Sequence, residues 1–186
     1  LKKLILMRGV PNSGKSFQAK LLAPARNIFS TDDYFHGTNP GVTRPGGYRE
    51  NWAGNKLQAA HAWNQGRVHA AMTFDVPLIV VDNTNIKREH AAIYAKMARE
   101  FGYEVEIAES KSPWWLEIRK LLATKDLRES QWLLAEWSKK LSGGFVYNGN
   151  QMGNDHGVPS ETIYSMLVNL EDYTVEDLLQ PAGKAA

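Results

Sequence analysis

The chain has 186 residues, a formal charge of +2, a pI near 8.7 and no cysteine. These figures exclude disulfides, thiolate catalysis and cysteine-ligated zinc or iron–sulfur centres, and the near-balanced charge gives no large basic surface from totals alone. The length suits one domain with a substantial core. No apolar run is long enough to span a bilayer and no opening segment has the pattern of a signal peptide, so the expectation is a cytoplasmic protein without a membrane partner. The chain opens on Leu1 rather than Met, which raises the expectation of flanking domains outside this sequence.

Leu4 to Met7 reads as a short buried strand. It leads into Gly9-Val-Pro-Asn-Ser-Gly-Lys-Ser16 and then into Phe17–Leu22, which has helical spacing. Strand, glycine loop and helix in that order form a P-loop in its required setting. Gly9 and Gly14 permit backbone angles and a close approach that a side chain would block. The loop amides and the helix N-terminus converge on phosphate, so Gly9, Asn12, Ser13, Gly14, Lys15, Ser16 and Phe17 are the candidate nucleotide-binding residues. Lys15 would reach the β- and γ-phosphates and the Ser16 hydroxyl would ligate Mg²⁺. The chain is expected to bind a nucleoside triphosphate, with ATP and Mg²⁺ as cofactors.

Asn27–Thr31 is a β-prone run ending at Asp32-Asp33-Tyr34-Phe35, and ligands of a parallel sheet sit beyond the carboxyl ends of its strands. The acidic pair should therefore face Lys15. Asp32 is the candidate base for an acceptor hydroxyl, while Asp33 reads as a cap. Residues 36–50 form a turn-rich loop over the cleft. Trp52, Leu57, Ala60, Trp63, Val68 and Met72 have near-helical spacing across Asn51–Phe74. Pro77–Asp82 is the clearest buried strand and ends in the polar cluster Asp82-Asn83-Thr84-Asn85. Lys87–Phe101 is an amphipathic helix with Ile93, Met97 and Phe101 on one face, and Tyr103–Ala108 is another strand. This alternation specifies an α/β fold, a doubly wound parallel sheet of about four strands with right-handed crossovers.

Residues 111–158 differ in character. Ser112-Pro113 starts a helix, a second runs from about Leu127 to Leu141, and a Gly- and Asn-rich loop covers Ser142–Gly157 before Pro159 opens another helix through Leu167. In a P-loop kinase this position holds the lid. The domain is expected to span 1–170 with the lid at about 111–158, and 171–186 to be a tail or linker. Trp115, Ile118 and Leu122 recur at helical spacing, so the tryptophans here read as core in preference to base-stacking platforms. Lone His156 reads as structural, with contact to adenine the alternative, and no second histidine at ligand spacing suggests zinc.

The order of Gly9–Ser16, Ser30-Thr-Asp-Asp-Tyr34, Val81-Asp-Asn-Thr-Asn85, Phe101-Gly-Tyr-Glu-Val105 and His156-Gly-Val-Pro159 resembles the polynucleotide-kinase-like branch of the P-loop kinases. That branch includes bacteriophage-type 5′-hydroxyl polynucleotide kinases, Nedd4-binding-protein-like ATPase domains and the kinase-like domain of cyclic-nucleotide phosphodiesterases. The resemblance implies a P-loop kinase fold with a helical lid and transfer of the γ-phosphate to a hydroxyl, by resemblance a polynucleotide 5′-hydroxyl at an RNA or DNA end. It implies that Lys15 and Ser16 hold phosphate and Mg²⁺, that Asp32 is the base, that Asn83 and Thr84 face the acceptor, and that Asp82 supports the metal through water. Phe35 stands where the bacteriophage-type enzymes carry an arginine, and Arg44 or Arg49 is the candidate replacement. Among the lid cations Arg119, Arg128, Lys139 and Lys140, Arg119 is the candidate for contact with the transferring phosphate, against the reading of a solvated helix face. Two other functions fit the residues: a kinase of a nucleoside or small alcohol, and a non-catalytic nucleotide-binding module regulating a neighbouring domain.

Overall fold

The computed structural model describes residues 1–36, 47–124, 127–153 and 156–180. Four strands form one parallel sheet: β1 (Lys3–Arg8), β2 (Ile28–Phe29), β3 (Leu78–Val81) and β4 (Glu104–Glu109), in the spatial order β2-β3-β1-β4. β1 sits between β3 and β4, with Leu4 opposite Ile79 on one side and Val105 on the other. Leu4–Met7 of β1 and all of β3 are apolar because both faces of the sheet are covered there.

Side-chain alternation along β1 sorts those faces. Leu4 and Leu6 point with Ile79 and Val81 into a core closed by α3 (Leu57–Thr73) and α4 (Arg88–Glu100). Ile5 and Met7 point with Val80 to the opposite face, against Ala19 and Ala23 at the phosphate-loop helix α1 (Lys15–Leu22). Each fully buried Leu or Ile contributes about 1.5–3 kcal/mol to the fold. The doubly wound parallel architecture expected from the alternation is the one observed.

Some elements depart from the sequence reading. Ile93 is 45% exposed, and the face that α4 buries is Ala91, Tyr94, Ala95 and Ala98. Small residues let α4 lie close on the sheet, which the longer side chains would prevent. Trp52 lies outside α3, between a one-turn helix α2 (Tyr48–Asn51) and a 3-10 turn over Gly54–Lys56. The segment taken as a tail from residue 171 belongs to the domain as far as 180. Helix α8 (Val175–Leu179) packs on α4, Leu178 and Tyr173 enter the core, and the Tyr173 hydroxyl donates to the Asn85 carbonyl at 2.5 Å. Residues 181–186 lie outside the described residues.

The helical segment after β4 builds a core of its own. In α5 (Pro113–Leu122), the Ser112 hydroxyl caps the helix by accepting from the Trp115 amide. Trp114, Trp115 and Ile118 pack with Leu134, Trp137 and Leu141 of α6 (Leu127–Gly143) and with Ile163 and Leu167 of α7 (Ser160–Val168). Trp114, Trp115 and Trp137 are core as expected, whereas Trp132 is 67% exposed. The stretch expected to be only a loop after 142 contains a hairpin, β5 (Phe145–Tyr147) and β6 (Asn150–Met152). Its turn is Asn148-Gly149 with φ of +48° and +78°, the left-handed pair such two-residue turns need.

Candidate active site

The phosphate loop follows β1 directly. Gly14 has φ +92°, and a Cβ there would come within 2.6 Å of the Ser110 hydroxyl, so only glycine fits where the start of α5 presses on the loop. The Gly9 amide donates to the Thr84 carbonyl at 3.0 Å, tying the loop to the end of β3. Helix α1 has no acidic residue in its first turn, which leaves its positive end uncompensated. Lys15 is buried and its side chain lines a cavity of about 580 Å³.

The other predicted loop residues divide by what they touch. The Asn12 side chain faces away from the phosphate position, its Nδ2 donating to the Leu141 carbonyl at 3.3 Å. Trp114 Nε1 donates to the Asn12 carbonyl at 3.2 Å, and the Ser112 hydroxyl donates to the Ser13 carbonyl at 2.8 Å. The Asn12 side chain is thus committed to the Leu141 carbonyl, and the Ser13 amide to the Val10 carbonyl at 3.2 Å. Ser16 and Phe17 occupy the first turn of α1, both exposed, with the Phe17 ring 70% open to solvent.

Asp32 lies in the same cavity as Lys15. It sits in a 3-10 turn, Thr31–Phe35, that starts beyond β2 and is capped by Ser30 and Asp33 in a reciprocal pair. Asp33 also takes Arg67 at 2.9 Å and is structural, whereas Asp32 faces the cleft. His156 Nε2 is 3.6 Å from Asp32 Oδ2, and the Tyr48 phenol hydrogen-bonds Asp32. The Tyr48 and His156 rings meet edge to face at 4.2 Å. Burial, then the charge and hydrogen bond of Asp32, push the Tyr48 phenol well above its usual range, so it stays a neutral donor. The reading of His156 as purely structural is therefore corrected: it stands beside the candidate base.

The cluster after β3 has a mixed outcome. Asn83 and Thr84 both line the cavity. The Asn83 amide is already committed, its Oδ1 accepting from the Thr31 amide at 2.9 Å and its Nδ2 donating to the Tyr94 hydroxyl at 3.3 Å. Asn83 thus locks the ends of β2 and β3 together, and Thr84 lines the cavity beside it. Asp82 is buried, and its Oδ1 has no hydrogen-bond partner among the described residues. A buried carboxylate oxygen without a donor fits a water-bridged cation, so the donor set of Ser16 and Asp82 suits Mg²⁺ held largely by phosphate and water. Among the described residues no group of three or more His, Asp or Glu could cage a metal without such help.

Arg119 is not brought to the cleft. Its Nε lies 3.1 Å from Glu109 and its Nη2 2.6 Å from Asp172. The bond from Arg119 holds the Asp172 carboxyl below its usual range. Glu109 also receives Arg8 at 2.6 Å and Trp115 Nε1 at 2.8 Å. These ion pairs make Arg119 a fastener between α5 and the sheet, which corrects its expected role. Phe35, at the departure from the resembled pattern, is 1% exposed and packs against Tyr34 and Tyr48. Arg49 borders the cavity wall at Gly157, while Arg44 and the Arg128 side chain lie outside the described residues.

Sequence reasoning missed Tyr48, Trp52, His61 and His90, all of which line the cavity. His61 Nδ1 is 3.4 Å from the Thr31 hydroxyl, and its ring stacks near His90 at 6.2 Å. Burial, reinforced by His90 and opposed by Asp32, lowers the His61 pKa. The only available signal was their nearness in sequence to the turn-rich loop and to the polar end of β3.

Comparison with known proteins agrees with this geometry. A family model described as an AAA domain matches residues 4–131. NEDD4-binding protein 2 from Homo sapiens is 35% identical over 127 residues, 67% of this chain and 7% of that protein. The 2′,3′-cyclic-nucleotide 3′-phosphodiesterases of Mus musculus and Pongo abelii are 29% and 30% identical over 146 and 148 residues, 77% of this chain and 31% of each relative. The chain spans less than a third of the length of these relatives.

Proposed function

The chain belongs to this AAA-domain family of P-loop nucleotide-binding proteins, and from that premise we propose that it is an ATP- and Mg²⁺-dependent kinase of a hydroxyl acceptor, a polynucleotide 5′-hydroxyl. One observation carries the proposal: a carboxylate, Asp32, shares a single cavity with the buried phosphate-loop lysine, Lys15. A module that only senses its nucleotide has no need of a carboxylate beside the phosphate-loop lysine, whereas transfer to a hydroxyl needs a base there.

The chemistry follows from the residues. Lys15 and the amides at the start of α1 hold the terminal phosphates of ATP and oppose their charge. Ser16, with Asp82 acting through water, would hold Mg²⁺, which would supply further charge neutralisation. Asp32 takes the proton of the acceptor hydroxyl, the hydroxyl oxygen bonds to the γ-phosphorus, and the bond from that phosphorus to the β,γ-bridging oxygen breaks, releasing ADP. The Tyr48 hydroxyl donates to the Asp32 carboxylate and fixes its direction. Most of the acceleration comes from positioning, with the surrounding wall excluding water that would otherwise accept the phosphate.

The test is transfer of labelled γ-phosphate to a 5′-hydroxyl oligonucleotide. Asp32→Asn should lower transfer about 10²–10⁴-fold while ATP binding survives, since Asp32 is not part of the phosphate loop. Transfer unchanged in Asp32→Asn would overturn the assignment of the base. ATP bound with no transfer to any alcohol would favour the non-catalytic module. The burial of Phe35 favours that second reading, because it puts an apolar ring where the resembled enzymes carry a cation.

A further inference from the structure

The turn that carries Asp32 has little backbone to hold it. β2 is two residues long, Ile28–Phe29, and pairs with β3 at the edge of the sheet. The bond from the Asp82 amide to the Phe29 carbonyl, at 2.9 Å, closes that pairing. So short a strand does not fix the direction of the turn that follows it, and side chains take over the task.

Those side chains meet at one buried oxygen. Tyr94 of α4 is 1% exposed. Its hydroxyl accepts from Asn64 Nδ2 of α3 at 3.2 Å and from Asn83 Nδ2 at 3.3 Å. With both lone pairs taken, its one proton is left for its third hydrogen-bond partner, the Thr31 hydroxyl. The Thr31 amide donates to Asn83 Oδ1 at 2.9 Å, which closes a ring of bonds through Tyr94, Thr31 and Asn83. Arg67 extends this ring, with Nη1 donating to Asn64 Oδ1 at 3.4 Å and to Asp33 Oδ2 at 2.9 Å. The turn is thus gripped on both sides of Asp32. Burial raises the Tyr94 phenol pKa, so the oxygen keeps its proton and the ring keeps its direction. Packing alone would be met by phenylalanine; the oxygen is there for its bonds.

From this ring we propose that Tyr94 is a positioning residue for Asp32. Its hydroxyl fixes Thr31 to Asn83, and the effect reaches Asp32 through the Thr31 backbone, holding the carboxylate at a set place in the cavity it shares with Lys15. The proposal rests on the reading of Asp32 as the acceptor base.

Tyr94→Phe removes the oxygen and keeps the aromatic ring. Tyr103→Phe is the matched control: Tyr103 lies in the same core, and its hydroxyl donates to the Val76 carbonyl at 2.8 Å, at the opposite end of β3 from Asn83. Both variants should lose stability in urea unfolding. Only Tyr94→Phe should lower kcat for transfer to a 5′-hydroxyl oligonucleotide, about 10- to 100-fold, with KM for ATP unchanged. Its Thr31 amide should also exchange with deuterium about 5-fold or more faster, while Tyr103→Phe keeps the wild-type rate there. An unchanged kcat in Tyr94→Phe, or an equal fall in both variants, would overturn the proposal. If the wild-type protein binds ATP but transfers no phosphate, or if Asp32→Asn transfers as well as wild type, the base reading falls instead. Thr31 exchange then decides by itself: faster exchange in Tyr94→Phe alone keeps Tyr94 as the residue that holds the turn, and equal rates in all three proteins remove it.

Discussion

The two ends of the cleft are built on different principles. The phosphate loop is one continuous run of backbone, and its neighbours hold it by its carbonyls: Trp114 on Asn12, Ser112 on Ser13, with the Asn12 amide anchored on Leu141. The rest of the cavity, the acceptor end under the proposed function, is made of side chains from separated segments, including Thr31 and Asp32, Tyr48 to Leu57, His61, Asn83 to His90, and His156 to Met166. The triphosphate is the same in every nucleoside triphosphate, so a fixed array of amides serves it. An acceptor has individual shape and charge, and loop-borne side chains supply that. The segment expected to act as a lid also differs from a free flap at its base, because α5 is fastened to the loop it would cover.

That contrast can be broken from the phosphate side. Trp115 is fully buried, and its ring lies 3.6 Å from where a Cβ on Gly9 would stand. Trp115→Ala should cost about 3–5 kcal/mol in urea unfolding. It should also weaken ATP binding in titrations while changing acceptor KM less. Lost stability with unchanged ATP affinity would show that α5 does not brace the loop. Glu109→Gln is the milder form, since it weakens the bonds from Arg8, Arg119 and Trp115 without opening a cavity. The expected loss is about 1.5–3 kcal/mol, again with ATP affinity more affected than acceptor KM.

The same contrast explains what could be read from the sequence. Gly9–Ser16 was legible because its function lies in backbone geometry, and backbone geometry restricts residue type locally. The strands were legible because both faces are buried, so Leu4–Met7 and Leu78–Val81 had to be apolar without interruption. Asp32 could be placed because the end of a parallel strand has a defined position in such a fold. Tyr48, His61 and His156 could not be placed, because what joins them is a cavity between segments far apart in the chain. Arg119 was misassigned because a cation on a helix looks the same in sequence whether it meets phosphate or Glu109 and Asp172. Asn148-Gly149 did carry a hairpin signal, but the triplets beside it are too short to stand out by alternation.

The smallest expected effect sharpens the contrast from the acceptor side. Burial, with the charge of His90 behind it and Asp32 opposing, lowers the His61 pKa, so the unfolded chain binds this proton more readily than the folded one. Stability tied to neutral His61 is therefore whole above its ordinary value of 6.5 and is lost as pH falls through the lower folded value. The midpoint of thermal unfolding should drop between pH 7.5 and the acidic side of that window, and His61→Gln, which can still reach the Thr31 hydroxyl, should flatten the drop by a few degrees at most. An equal slope in His61→Gln would assign the acid sensitivity to other groups. ATP affinity should change little across the same range, because the stretch from Gly9 to Ser16 contains no histidine. A pH response confined to the acceptor cavity would show that the two ends of the cleft, though they share one cavity, are held by independent sets of contacts.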